Sequence, residues 1–229
     1  MDIDGIKIEY LGHSGFILDA GDMRMAIDPY QVVSDIKPVD LILITHEHSD
    51  HCSVKDMEKI AKKGTIVIGP AHIQSNVMKV ENLEVQPIEV NDEVEFGNIK
   101  IEAVPAYNLN KYRDVESKKV FHPKSEGYFG YLIKIGNVIF YHAGDSDFIP
   151  EMQRLTGYGK KGKKLIALLP VSGMYVMDVD EAVEAASLLK PYLTIPMHYG
   201  SVVGTREDAE SFVSLCTEKG IRAEILEKA

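Results

Sequence analysis

Cysteine is nearly missing from this chain: Cys52 and Cys216 are the only two in 229 residues. One potential pair at this length is not a disulfide framework, so the fold must rest on its own core. Long apolar runs are missing too. The longest, residues 165–177, is broken by Pro170, Ser172 and Gly173, and it falls short of the ~20 residues a membrane-spanning helix needs. The opening Met-Asp-Ile-Asp-Gly has no basic stretch leading into an apolar one, so no secretory signal is expected. Basic residues are the minority, 25 Lys and Arg against 35 Asp and Glu, for a net charge of −10. Counterion release therefore gives no general pull toward a phosphate backbone, and neither nucleic acid nor membrane is the expected partner. No low-complexity tract and no Gly-rich phosphate loop is present. A cytoplasmic protein is expected.

What the chain does have is ordinary globular composition, 45% hydrophobic and 26% charged, with enough length to bury a sizeable core. Residues 6–10 alternate apolar and polar at period two, as a half-buried strand does. Residues 41–44 are continuously apolar, which suits a strand buried on both faces. A helix is expected from about Val54 and another strand at residues 66–68. Residues 99–104 alternate again, and residues 107–127 show neither period, which marks a functional loop. Strands follow at 128–135, 138–142, 165–169, 192–195 and 223–226. Helices are expected to start near Asp178 and, capped by Thr205, to run on to Gly220. Both halves begin with strands and go on to alternate strand and helix. The expected fold class is α/β, with two related halves packed face to face and helices outside, in a single domain over 1–229.

The sharpest feature is Thr45-His46-Glu47-His48-Ser49-Asp50-His51, which puts three of eight histidines within six residues, directly after an apolar strand. Side chains alternate in extended backbone, so His46 and His48 can point the same way and grip one ion. Asp50 and His51, in the turn beyond, can face a second. Imidazoles and a carboxylate suit zinc, iron or manganese. A zinc-protease helix would need histidines four apart, and Asp50 stands where the second would be. A structural zinc finger is disfavoured, since Cys52 is the only thiol nearby. A second cluster, His142-Ala143-Gly144-Asp145-Ser146-Asp147, and a third, Pro196-Met197-His198-Tyr199-Gly200, also end strands. Alone, they would read as a turn and a core histidine.

Together, the order HxHxDH, a mid-chain His, Gly-Asp and a late His resembles the metallo-β-lactamase superfamily. Leu11-Gly12-His13-Ser14-Gly15-Phe16 and Ile195-Pro196-Met197-His198-Tyr199-Gly200 narrow the resemblance to the branch of ascorbate-6-phosphate lactonase and uncharacterised metal-dependent hydrolases. It covers nearly the whole chain. It implies a four-layer αβ/βα sandwich with two divalent metal ions, zinc first and manganese or iron as alternatives. By the same resemblance His46, His48 and a mid-chain histidine hold one ion, Asp50, His51 and His198 hold the other, and Asp145 bridges them. In many relatives the mid-chain histidine follows the Ala-Val-Pro-Ala strand at once, where this chain has Tyr107-Asn108. The nearest histidine is His122, taken here as the ligand, with Asn108 as a substrate or supporting contact. The alternative puts Asn108 in the ligand's place and weakens that site. His13 is read as a substrate or supporting contact, or as a plain hydrogen-bonding residue. The branch is often assembled from several subunits, so a homo-oligomer is allowed.

Two cations roughly 3.5–4 Å apart lower the pKa of a shared water toward ~7, and the hydroxide so formed can attack a carbonyl or a phosphorus. Asp50 is the expected orienter and proton acceptor. A hydrolase acting on an ester, lactone or phosphodiester follows. The loop's Lys111, Arg113, Lys118, Lys119 and Lys124, against Asp114 and Glu116, favour a small anionic substrate, with Lys111 and Lys124 as expected contacts. Competing readings are an iron redox enzyme on the same fold, for whose usual extra domains there is no room, a non-catalytic metal-binding protein, and a nucleic-acid phosphodiesterase.

Overall fold

The computed structural model describes residues 1–33, 35–81, 83–160 and 162–229. Cα packing divides the chain into two compact units, Met1–Glu89 with Leu226–Ala229, and Val90–Ile225.

The first unit is a seven-stranded sheet in chain order: β1 (Asp2–Ile3), β2 (Ile6–Gly12), β3 (Gly15–Asp19), β4 (Arg24–Ile27), β5 (Leu41–Leu43), β6 (Thr65–Gly69) and β7 (Leu83–Pro87). Strands β1 to β4 pair antiparallel, and β4 to β7 pair parallel. The change of direction follows the connections, since tight turns can only reverse a strand whereas parallel strands need a longer crossover. Helix α1 (Val54–Ile60) is one such crossover, started by Ser53, whose Oγ accepts from Asp56 N. Its Met57 and Ile60 pack into a core with Ile17, Ala26, Ile42 and Val67. The short α2 (Gln74–Val77) contributes Val77 to the same core. Leu41 to Ile44 are all buried, as a strand covered on both faces should be.

The second unit has a six-stranded sheet in which β8 (Glu93–Phe96), β9 (Ile99–Pro105), β12 (Phe129–Ile135) and β13 (Val138–His142) pair antiparallel. Strands β13, β14 (Lys164–Pro170) and β15 (Leu193–Met197) then pair parallel. The progression from antiparallel to parallel repeats that of the first unit, as expected of related halves. Helix α3 (Val179–Leu189) opens on a reciprocal cap, Asp178 Oδ1 accepting from Glu181 N and Glu181 Oε2 from Asp178 N. Helix α4 (Arg206–Glu218) follows Thr205 as expected.

Two expectations change. Residues 107–127 are not wholly irregular, because β10 (Tyr112–Asp114) and β11 (Lys119–Val120) form a small exposed hairpin. The expected last strand is reduced to a single bridge between Ala223 and Thr194. None of the described helices is long and apolar enough to cross a membrane.

Both cysteines are free and buried. Burial pushes the Cys52 thiol up to about 12 and the Cys216 thiol up to about 11. The thiolate is the reactive form. A thiol that titrates near 11 is ionised to only about one part in a thousand at pH 8, so the native protein should not react with Ellman's reagent there. Two thiols per chain should appear on denaturation, and rapid labelling of the native protein would contradict this burial.

Candidate metal centre

In the first unit the histidine-rich segment leaves the carboxyl end of β5, inside the parallel part of the sheet, where such sheets place their ligands. Asp28, at the end of neighbouring β4, organises it. This carboxylate is fully buried and accepts three hydrogen bonds, from Thr45 N (2.9 Å), Thr45 Oγ1 (2.7 Å) and His51 Nδ1 (2.8 Å). Because the Thr45 hydroxyl proton goes to Asp28, Thr45 Oγ1 is an acceptor toward His46 Nδ1, 2.9 Å away. Both His46 and His51 therefore carry their proton on Nδ1 and present the lone pair of Nε2. His46 Nε2 lies 3.0 Å from His48 Nδ1. Asp50 Oδ2 lies 3.0 Å from His13 Nε2 and 3.7 Å from His51 Nε2. A turn in which His51 N and Cys52 N both bond His48 O leads the segment into the cap of α1 at Ser53.

The second unit delivers its polar groups from strand ends as well. Asp145 follows β13, Ser172 follows β14 and His198 follows β15. Gly144 turns the chain at φ +63°, and a Cβ there would meet Phe129 O at 3.0 Å, so glycine is required where Asp145 is aimed. His142 Nδ1 accepts from Gly144 N and steadies that turn. Asp145 Oδ2 stands between two imidazoles, 3.5 Å from His122 Nε2 and 3.2 Å from His198 Nε2. Asn108 Oδ1 accepts from His122 N (2.9 Å) and faces His122 Nδ1 (3.0 Å), with Tyr175 O 3.2 Å from the same nitrogen. Two acceptors on Nδ1 again place the lone pair on Nε2. Asn108 Nδ2 in turn donates to Asp147 Oδ1 and Tyr175 O. Ser172 Oγ, 3.0 Å from His198 Nδ1, completes the set.

The sequence profile of the family described as Beta-lactamase superfamily domain matches residues 7–198. The UPF0173 metal-dependent hydrolase of Nanoarchaeum equitans is 34% identical over 224 residues, 97% of each chain. That of Thermoplasma acidophilum is 34% identical over 225 residues, 95% of this chain and 94% of its own. The chain belongs to the UPF0173 metal-dependent hydrolase family. A crystal structure of a Parabacteroides distasonis protein described as a metal-dependent hydrolase superposes with a TM-score of 0.80 at 28% identity, covering 98% of this chain and 94% of that one. The fold is thus the metallo-β-lactamase fold, and the protein is a metal-dependent hydrolase.

The donor chemistry of the hydrolase fits a divalent cation. Ligand atoms each ~2.1 Å from a shared ion stand about 3.0 Å apart at a right angle and about 3.4 Å apart at a tetrahedral one. Within the units, the separations of 3.0 Å between His46 and His48, 3.2 Å between His198 and Asp145 and 3.5 Å between His122 and Asp145 match those edges. A protein acceptor on Nδ1 that fixes the tautomer and aims Nε2 is the usual support for an imidazole ligand.

The sequence assigns no role to Asp28, Thr45, Ser172, Tyr175 or Asp147. A signal for Asp28 existed, since an acidic residue directly after the apolar Met25-Ala26-Ile27 calls for a buried partner. Asn108 supports His122, which stands at the far end of the hairpin. Lys111 Nζ lies 2.6 Å from Glu181 Oε2, and Lys124 Nζ lies 2.6 Å from Glu151 Oε1. Both charges are therefore matched within the unit, and a substrate role for either lysine requires its pair to open. Exposed Arg113, Lys118 and Lys119 carry the hairpin's positive surface. Asp147 accepts from Leu109 N and Asn110 N and so ties down the hairpin's neck. Burial pushes its carboxyl above the usual range.

Proposed function

We propose that the chain's donors would hold two divalent ions, His46, His48 and His122 the first and Asp50, His51 and His198 the second, with Asp145 shared by both. The reaction proposed is hydrolysis of an ester, lactone or phosphodiester bond in a small anionic molecule of the cytoplasm. The observation that carries this reading is the same in both units: His46, His51 and His122 have Nδ1 committed to a protein acceptor and Nε2 turned toward further donors. Any buried imidazole pairs one ring nitrogen; what supports a ligand role is that the other one faces a further metal-type donor, His48 Nδ1, Asp50 Oδ2 or Asp145 Oδ2.

When bound, two divalent cations supply an activated water at neutral pH and counter the charge that develops in the transition state. Zinc is the ion proposed, and manganese or iron would be served by the same donors. The chain's own part is to fix geometry. Asp28 and Asn108 hold ligands in one tautomer, and Asp50, partly exposed at the edge of its cluster, orients the attacking water and takes its proton. The hairpin's Arg113, Lys118 and Lys119 draw an anionic substrate by long-range attraction, which salt screens.

The test is elemental mass spectrometry on untagged, chelator-free protein, followed by hydrolysis assays with bis(4-nitrophenyl) phosphate and simple lactones. About two ions per chain with metal-dependent turnover are expected. Replacing Arg113, Lys118 and Lys119 together with alanine should lower kcat/KM for anionic substrates, with little change for neutral esters. Turnover that survives complete metal removal would overturn the reading.

A further inference from the structure

His13 lies outside the family's metal-ligand set, yet its side chain is fully buried and its Nε2 lies 3.0 Å from Asp50 Oδ2. Its backbone is in the left-handed region at φ +55°, directly after Gly12 at φ +98°. Residues other than glycine rarely adopt that conformation, and Asn, Asp and His tolerate it best. Strain of this kind persists only where the surroundings over-determine it, and it gathers at functional sites. In the first unit Asp28, at φ +42°, is a second buried residue in that conformation, and it already supports His51 and Thr45.

The surroundings of His13 meet the condition. Tyr10 Oη donates to His13 O at 3.0 Å. The terminal segment comes back to the same place, with Ala229 N donating to Tyr10 O at 2.9 Å and Lys228 bridging to Tyr10. The Lys228 stem covers Gly12 closely enough that a Cβ there would meet Cδ at 3.3 Å. The ring is boxed edge-on by Tyr30 at 5.8 Å and by His51 at 5.6 Å between centroids. The turn thus holds the imidazole in one place, and that place puts an N–H donor on Asp50.

We infer that His13 is a positioning residue for Asp50: its Nε2–H, held rigid by the strained turn, fixes Oδ2 and so sets the rotamer in which Asp50 ligates and orients water. The role rests on the two-metal reading above. It explains why a left-handed position carries histidine rather than glycine, because glycine would relieve the backbone but supply no donor. Among residues that could substitute, glutamine places its amide Nε2 where histidine has its ring Nε2.

The test compares wild type, His13→Ala and His13→Gln. Competition against a chromophoric chelator gives the affinity for each zinc ion, bis(4-nitrophenyl) phosphate gives kcat and KM, and thermal unfolding gives stability. Loss of support for a ligand typically weakens metal binding or activity by about 10–100-fold. His13→Ala should therefore weaken the second ion by that factor, spare the first, and lower kcat more than it changes KM. His13→Gln should recover part of both. Equal weakening of both ions, or loss of stability that glutamine does not repair, would make His13 a packing residue and overturn the inference. If wild type binds fewer than two ions the two-metal reading fails, and the contact is then decided in metal-free protein. There the His13 Nε2 nitrogen resonance should move in Asp50→Asn, and an unmoved resonance overturns the inference.

Discussion

Asp28→Asn is expected to cost the enzyme most of its activity while leaving every proposed metal ligand in place. The native carboxylate takes three donors, two from Thr45 and one from His51. An amide has one oxygen and one NH2, so either orientation sets a donor against a donor. If the oxygen keeps the Oδ2 position, the NH2 confronts Thr45 N. If the oxygen takes the Oδ1 position, the NH2 confronts His51 Nδ1 and the Thr45 hydroxyl. The second arrangement is relieved by moving the His51 proton to Nε2, which removes the lone pair a metal needs. Outer supports of this kind change metal affinity or activity by about 10–100-fold. A buried donor left without its acceptor costs about 1–3 kcal/mol. In a chain of this size that lowers Tm by roughly 2–4 °C per kcal/mol. Zinc titration, steady-state assay and thermal unfolding of the variant measure all three. Unchanged zinc affinity with lowered Tm would mean that Asp28 only supports the fold, and that His51 is not a ligand through Nε2.

Asp28 also shows where sequence reading stops. The HxHxDH segment was legible because its residues are contiguous and follow an apolar run, so local alternation alone suggests a shared direction. The supports are not contiguous: Asp28 comes 17 residues before Thr45 and 23 before His51, and Asn108 comes 14 before His122. No periodicity links such pairs. Asp28 meets Thr45 because parallel β4 and β5 end side by side, and Asn108 meets His122 because antiparallel β9 and β12 bracket the hairpin; strand order of either kind is a tertiary fact. The β10–β11 hairpin escaped notice for a different reason. Tyr112, Arg113 and Asp114 are all exposed, so the strand has no buried face to impose alternation. The expected strand at 223–226 failed in the opposite sense, its residues being only half-buried and bridging the sheet at Ala223 alone. Helix starts at Asp178 and Thr205 were legible because a cap is a local device, spelled within four residues.

Chelation should produce the largest shift in stability. A ligand that binds only the folded chain stabilises it by RT ln(1 + [L]/Kd), about 4 kcal/mol per site when the free ion is a thousandfold above Kd. At roughly 2–4 °C per kcal/mol, removing one such ion lowers Tm by about 8–16 °C. The physical source is visible in each unit. His46 Nε2 stands 3.0 Å from His48 Nδ1, and Asp145 Oδ2 stands 3.2 Å from His198 Nε2, spacings that one shared ion would span. A cation held by these donors would add ligand bonds that the unfolded chain has no preformed site to make. Dialysis against EDTA should therefore lower Tm by that amount for each ion removed, and stoichiometric zinc should restore it. Two proposed ions predict two steps in a zinc titration followed by Tm. Asp145→Asn, which weakens the shared carboxylate, should lower both steps together, whereas His122→Ala should lower only one. A Tm indifferent to EDTA would show that the imidazoles are held by hydrogen bonds alone. Equal loss of both steps in His122→Ala would show that His122 is not confined to the first ion.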